Sequence, residues 1–583
     1  MAQQRSFLLD FLKGIAIIAV IMYHLGIFKF GYLGVEVFFV ISGFLTTKSI
    51  VSTYKHTGGF NFCVFLLKRI VRLFPLIVIL CICTFVIAYF TQLPDNFKNT
   101  CETTVGTITF LNNIVQYITS GNYWDTSNDF KPLMHTWYLG VLFQFYLLYP
   151  LTIQIFCKSR VNYSKVLKII IIWGGLASFL LFLLDNSSQA AKFFLFPYRY
   201  WEFAFGAYAA MSTQDSKKHY INISIFLICF LLCFNLEFSS HAYRLILTTI
   251  ITVIIISQLP IERSLHYFKW SIIPLLGKAS FSIYIWHQFI FAFYRYIFDA
   301  QLNIFSHIGI LSASFFLGLT SYELIEQKFN CWMTKNITRT ISILSINLFV
   351  SIILLGMCIH FYNQNGIVRD IPELSISKNN GQFQCQNYNA RNNAFDINFP
   401  HNNKKNILVL GDSFARDWIN ILRESNVQSH YNISVHSFDD DVASSRAKQA
   451  DIIFIANNGP FSFHKLMPEI ANHEYYRIGH KYFGECNGNV YNNIRFKHSG
   501  FNQAFQYNDS LNINEHKFFG NHFIDLMSLI KLPNGQYPYF TPNHKFYSHD
   551  GIHLTQAGAQ HFAHLLSINK LLLSTNDSIS SPK

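Results

Sequence analysis

Ser413, Asp550 and His553 are the residues whose types and spacing could most directly do chemistry. Gly411-Asp412-Ser413 follows the apolar run Ile407-Leu-Val-Leu410. A serine on a tight turn between strand and helix projects its hydroxyl, while its own N–H points to where an oxyanion would form. Serine alone is a poor nucleophile and needs a base. His553, in Asp550-Gly-Ile-His553-Leu, supplies one, and Asp550 three residues earlier can hold the ring tautomer. That chemistry is acyl transfer or ester hydrolysis. A second set lies near the N-terminus, where Lys13 and His24 share one apolar run. Eleven positions on a helix is about three turns, so both side chains share a face roughly 16 Å apart along the axis. Ionisable groups are costly in hydrocarbon, which makes each a functional-site candidate.

The elements that must position these groups differ between the two halves. Of 583 residues, 51% are hydrophobic and only 13% charged, and Phe alone occurs 60 times, unlike a soluble globular chain. The excess is concentrated between Phe7 and Tyr362, where apolar runs long enough to cross a bilayer recur. They read as eleven spans, near 7–28, 33–53, 69–91, 133–157, 166–184, 193–211, 221–236, 242–258, 272–298, 304–324 and 340–361. An odd number puts the two chain ends on opposite sides. With the N-terminus inside, about fourteen Lys and Arg fall in inner loops against four in outer ones. The expected topology is therefore a cytoplasmic N-terminus and an extracytoplasmic region after Asn363. The net charge of +13 follows from those inner loops, and no nucleic-acid motif is present. The first run lacks a small-residue cleavage site and does not read as a cleaved signal.

Residues 363 to about 403 are rich in Asn, Gln and Ser and read as a linker. Strand candidates then alternate with helical spacing: 407–410, a helix over 414–424, and further strands at 431–438, 451–456 and 476–479. This predicts a three-layer α/β domain with a parallel sheet, whose ligands gather at the carboxyl ends of the strands. The eleven cysteines show no paired spacing for zinc, and no metal is expected. Cys385 and Cys486, both beyond the last span, could pair in an oxidising compartment.

Gly411-Asp412-Ser413 after a first strand, with a late Asp550-Gly-Ile-His553-Leu, resembles the SGNH hydrolase-like superfamily over about 404–572. The resemblance implies an oxyanion donor after the third strand, where the block reads Ala456-Asn457-Asn458-Gly459. Asn458 is the candidate, with Asn487 as alternative. In the first half, Asp10-Phe-Leu-Lys13 with His24, then Gly34-Val-Glu36-Val-Phe-Phe-Val-Ile-Ser42-Gly43, resembles the opening of the acyltransferase-3 family of membrane acyltransferases. Arg69-Ile-Val-Arg72, His135-Thr-Trp137 leading to Gln144-Phe-Tyr146, Ser280 through Trp286-His287, and Tyr322 to Glu326 continue the match in family order. The resemblance implies that Lys13 and His24 belong to the catalytic centre, His24 as base or acyl carrier. It also implies that Arg69 and Arg72 meet the phosphates of an acyl-CoA. Two departures stand out: Lys13 replaces the usual Arg, and apolar Leu142-Phe143 replaces a usual acidic pair. Glu36 and Glu202 are candidate substitutes for the lost acids.

Together the resemblances imply a bacterial inner-membrane enzyme with an acyltransferase domain over 1–335. An eleventh helix and periplasmic linker over 336–403 and an SGNH-like domain over 404–583 follow. The implied fold is ten core helices plus one linking helix, then the α/β domain. The implied partners are acetyl-CoA as donor, membrane lipids, and a surface polysaccharide or lipid-linked glycan such as O-antigen, lipooligosaccharide or capsule. The rival expectation is a membrane-anchored SGNH esterase that deacylates a glycan.

Overall fold

Long apolar runs with few breakers fold as helices because a helix satisfies its own backbone groups where water is absent. The computed structural model describes residues 6–119, 126–156, 163–185, 188–212, 221–233, 241–257, 271–298, 302–329, 337–378, 388, 391–437, 439–458, 465–484, 487–497 and 499–566. Cys385 and Cys486 lie outside them. The chain divides into Met1–Gly366 and Ile367–Lys583.

The first unit opens with α1 (Phe7–His24), α2 (Gly34–Thr57), α3 (Phe62–Thr91), α4 (Pro94–Ile108), α5 (Asn112–Thr119) and α6 (Trp137–Phe156). Ser6 Oγ caps α1 by accepting from Leu9 N, and Asn61 Oδ1 caps α3 by accepting from Val64 N. Among the described residues, seven helices are long and apolar enough to cross a membrane: Phe7–His24, Gly31–Thr57, Phe62–Thr91, Met134–Phe156, Tyr163–Leu184, Ile304–Phe329 and Ile341–Asn363. The other four expected runs are also helical, at Tyr200–Ser212, Ile221–Cys233, His241–Ser257 and Ser280–Ile297. The first three are shorter than 18 residues, and the last carries His287, Gln288 and Arg295, which lower its hydropathy.

One crossing, of α2 with the helix of residues 200–212, is set by two glycines, because backbones approach closely only where no side chain intervenes. A Cβ on Gly43 of α2 would sit 2.0 Å from Phe203 O, and one on Gly206 1.9 Å from Val40 O. Beside them Arg199 is fully buried, donating to Glu36 at 2.7 Å and Glu202 at 2.9 Å. Its guanidinium lies over Phe39, Trp137 and Phe193. A buried cation held this way ties α2 to the helix of residues 200–212.

In the second unit, β1 (Lys405–Leu410), β2 (Tyr431–His436), β3 (Ile452–Ile455), β4 (Glu474–Ile478) and β6 (Phe523–Ile524) form one parallel sheet in the order β2-β1-β3-β4-β6. A small antiparallel pair, β5 (Ala504–Phe505) with β7 (Tyr537–Pro538), lies apart from it. Period-two alternation sends Ile407 and Val409 into one core with Phe414, Trp418, Phe454 and Phe562. Leu408 and Leu410 enter another with Ala443, Ile453 and Ile455. Both faces are therefore covered, which accounts for the continuous apolar reading of these strands. The two-residue β6 has no sequence signature of its own. The segment read as a linker contributes to this unit, since Asn392 bonds the Asn420 side chain and Ile397 O accepts from Ser434 Oγ.

Candidate functional site

β1 pairs with β2 on one side and β3 on the other, so chain order reverses at its carboxyl end. Open α/β sheets take their ligands at such a point, and Gly411-Asp412-Ser413 lies there. Gly411 has φ of +144°, and a Cβ on it would lie 1.8 Å from Ala456 O. Only glycine permits that turn. Asp412 Oδ1 accepts from Phe414 N and caps the helix Ser413–Glu424, while its Oδ2 accepts from Asn458 N at 2.8 Å. The turn thus brings Asn458 of the β3 end beside the serine turn.

The Asp550 carboxylate organises the histidine loop. Its Oδ1 accepts from Ile552 N and His553 N, and its Oδ2 accepts from His553 Nδ1 at 2.6 Å. That bond fixes the tautomer and leaves Nε2 as the basic nitrogen. His553 Nε2 is shielded from solvent and has no hydrogen-bond partner among the described residues, Ser413 included. Catalytic bonds of this kind often tighten only around substrate. Burial pushes the Asp550 carboxyl up, but the His549 charge and the bonds from His553 outweigh it and hold it well below the usual carboxylate range. His549, Asp550 and His553 present ligand atoms within 4.8 Å of one another, a spacing that would also accept a metal ion. The 2.6 Å Nδ1–Oδ2 separation is that of a charge-assisted hydrogen bond.

Residues that the sequence did not single out join the two halves of this site. Asp417, one turn after Ser413, has its Oδ2 2.8 Å from Lys481 Nζ and accepts from Leu554 N at 3.1 Å, with both side chains about fully buried. The serine helix is thereby bonded to the residue that follows His553. Asn487, the alternative donor, instead gives its amide to Ser548 O.

Two cavities lined by described residues of the first unit bear on the expected site. One, about 100 Å³, is lined by Lys13, Ser42, Arg69, Arg72, Leu142 and Ser280 among others. Arg72 donates twice to Glu326 Oε1, at 3.1 and 2.8 Å, while Ser282 bonds the other carboxylate oxygen. Arg69 lies over the rings of Phe65 and Tyr146 and has no carboxylate partner among the described residues. His24 is not on this cavity. It lines the second, with Tyr23, Asp129, Arg295 and His307, at the far end of α1. His287, fully buried, stands between His24 and His135 with ring centroids 5.2 Å from each. Trp286 donates to Ser321 Oγ at 2.7 Å and holds its helix in place. Glu36 and Glu202 are both paired with Arg199, and neither lines either of these two cavities. Phe143 stacks on Phe110 at 4.1 Å.

The chain belongs to the acyltransferase-3 family, whose acyltransferase domain matches residues 8–356. It is similar to the peptidoglycan O-acetyltransferase OatA of Listeria monocytogenes, 25% identical over 60% of this chain and 62% of the relative. It is also similar to the putative O-acetyltransferase SACOL0978 of Staphylococcus aureus strain COL, 27% identical over 55% and 56%. The O-acetyltransferase OatA of Staphylococcus aureus strain NCTC 8325 is 26% identical over 54% and 56%. The chain spans about three-fifths of the length of these curated relatives. No solved structure matches it.

Proposed function

We propose that this protein is a multi-pass membrane O-acetyltransferase that carries acetyl from cytoplasmic acetyl-CoA to hydroxyls of a cell-surface glycan. The observation that carries the reading is the gathering of Lys13, Ser42, Arg69 and Arg72 on one cavity, with His24 three turns along the same helix from Lys13. Arg69 suits a phosphate best, since Arg72 already has Glu326 as counter-ion. Family membership and the names of the relatives support the reaction class. The eleven-span topology with a cytoplasmic N-terminus, the SGNH identity of the second unit and its extracytoplasmic location belong to the same proposal. So do the domain limits 1–335, 336–403 and 404–583.

In this scheme His24 takes the proton or the acetyl group, with His287 beside it. Ser413 attacks the arriving acetyl carbonyl as His553 Nε2 takes its proton, and Asn458 receives the oxyanion. His553 returns the proton to the group that delivered the acetyl, which departs as Ser413 is acetylated. A glycan hydroxyl, deprotonated by the same His553, then attacks the acetyl-serine, breaking the bond to Ser413 Oγ, which takes that proton back from His553. The acceptor is a cell-surface polysaccharide such as O-antigen, lipooligosaccharide or capsule, and peptidoglycan is the glycan in the name of the Listeria relative.

The rival, a membrane-anchored SGNH esterase, is favoured by apolar Leu142 and Phe143 where an acidic pair is usual. Vesicles carrying the protein, labelled acetyl-CoA inside and polysaccharide outside distinguish the two. Label on the glycan, lost in His24→Ala, is expected. Release of acetate from acetylated glycan with no transfer by the wild type would overturn the transferase reading. Lipopolysaccharide, capsule and peptidoglycan fragments in parallel name the acceptor.

A further inference from the structure

His480, which follows β4 and belongs to no motif in the sequence, bonds to Asn458. Its Nε2 lies 2.9 Å from Asn458 Oδ1, and its Nδ1 lies 3.2 Å from the Tyr507 hydroxyl. The His480 backbone is itself held on both sides, its N donating to Asn512 Oδ1 at 2.7 Å and its carbonyl accepting from Asn512 Nδ2 at 2.8 Å. The Phe414 ring lies 5.5 Å from the imidazole, so the ring is packed against the residue next to Ser413.

We propose that His480 is a positioning residue that sets which way round the Asn458 amide faces in the serine site. This rests on the reading of Ser413 and His553 as nucleophile and base. An asparagine side chain has one accepting and two donating ends, and only the donating end stabilises an oxyanion. An Nε2–H aimed at Oδ1 captures the accepting end, so Nδ2 is left to face elsewhere. The Tyr507 hydroxyl reaches both Nδ1, at 3.2 Å, and His480 O, at 3.3 Å; when its proton goes to Nδ1, the ring is the neutral Nε2–H tautomer that this arrangement requires. Burial, then the neighbouring Lys481 and Arg477 charges, lower the tendency of His480 to take a second proton. Asn458 N is meanwhile tied to Asp412 Oδ2, so backbone and side chain are both fixed from residues outside the asparagine.

Hydrolysis of p-nitrophenyl acetate by the full chain in detergent tests this, with kcat and KM measured separately and the thermal midpoint of every variant recorded. His480→Glu presents only acceptor atoms and turns the amide over, and kcat should fall about 10²-fold, the scale of losing one oxyanion donor, with KM nearly unchanged. His480→Gln places an amide N–H near the position of Nε2 and should stay within about threefold of wild type, by the same donor geometry. Asn458→Ala should match His480→Glu, and the double variant should be no worse than either single. His480→Ala gives an intermediate loss, and serves if the glutamate variant does not fold. A His480→Glu or His480→Ala enzyme with wild-type kcat, beside an impaired Asn458→Ala, overturns the inference alone, as does full additivity in the double variant. Unchanged hydrolysis in Ser413→Ala overturns the nucleophile reading and the inference with it.

Discussion

Replacing Lys481 by methionine strands the Asp417 carboxylate in the interior, and replacing Asp417 by asparagine strands the ammonium. The two side chains are 2% and 1% exposed and 2.8 Å apart, so neither charge can recover its hydration without opening the fold. Removing one member of a buried pair costs about 3–5 kcal/mol. The lower end applies here, because each stranded charge keeps one partner. The carboxylate keeps Leu554 N at 3.1 Å, and the ammonium keeps the Phe414 ring, 3.3 Å from its centroid. Each single variant should therefore lose about 3 kcal/mol, or about 6–12 °C for a unit of this size. The double variant, Asp417→Asn with Lys481→Met, buries no charge and retains an acceptor for Leu554 N, so it should regain most of the loss. Thermal unfolding of the second unit within the full chain, followed by protease cleavage detected at a C-terminal tag, measures all three. The same samples report ester hydrolysis, which should fall in the singles because Leu554 follows His553. Singles within about 1 kcal/mol of wild type, or a double variant as unstable as both singles added, would refute the claim that one buried pair joins the serine helix to the histidine loop.

Arg69→Ala should raise the KM for acetyl-CoA about tenfold or more and leave kcat little changed, since a lost charge-assisted phosphate contact weakens binding; steady-state acetyl transfer in vesicles checks this. Asp550→Asn should lower Ser413-dependent hydrolysis by about 10²–10⁴-fold through loss of the His553 tautomer, with little change in KM. The folded Asp550 carboxyl lies below its ordinary value, so its charged form adds stability above the unfolded value of about 3.9, and that stability is lost as pH falls further. Between pH 5 and 8 Asp550 stays ionised, so its own titration should add no limb to a pH–rate profile in that range. Gly411→Ala combines a φ of +144° with a Cβ 1.8 Å from Ala456 O, and the second unit should lose about 3 kcal/mol or more in the same proteolysis assay.

The helices and strands were legible because they are local. Runs of apolar residues read as helices at all eleven expected positions, and the β1, β2, β3 and β4 strands fall within a few residues of their expected ranges. Membrane-crossing length was less legible, since polar His287, Gln288 and Arg295 and the short helix of residues 200–212 weaken the signal. Ser413, Asp550 and His553 were visible because two of them sit three positions apart and the third lies in a turn needing glycine. Lys13 and the Arg69–Arg72 pair were expected separately, and only packing brings them to one cavity.

From the sequence alone came the division into an apolar helical half and an α/β half, the serine turn, and the Asp550–His553 pair, since each depends on neighbours within a few residues. Tertiary structure decided the partners. Glu326 lies 254 positions from Arg72, Leu554 lies 137 from Asp417, and Asn458 lies 22 from His480. A lone lysine or histidine is the same letter whether solvated or buried, and it acquires a role only when folding removes water and leaves one partner within reach.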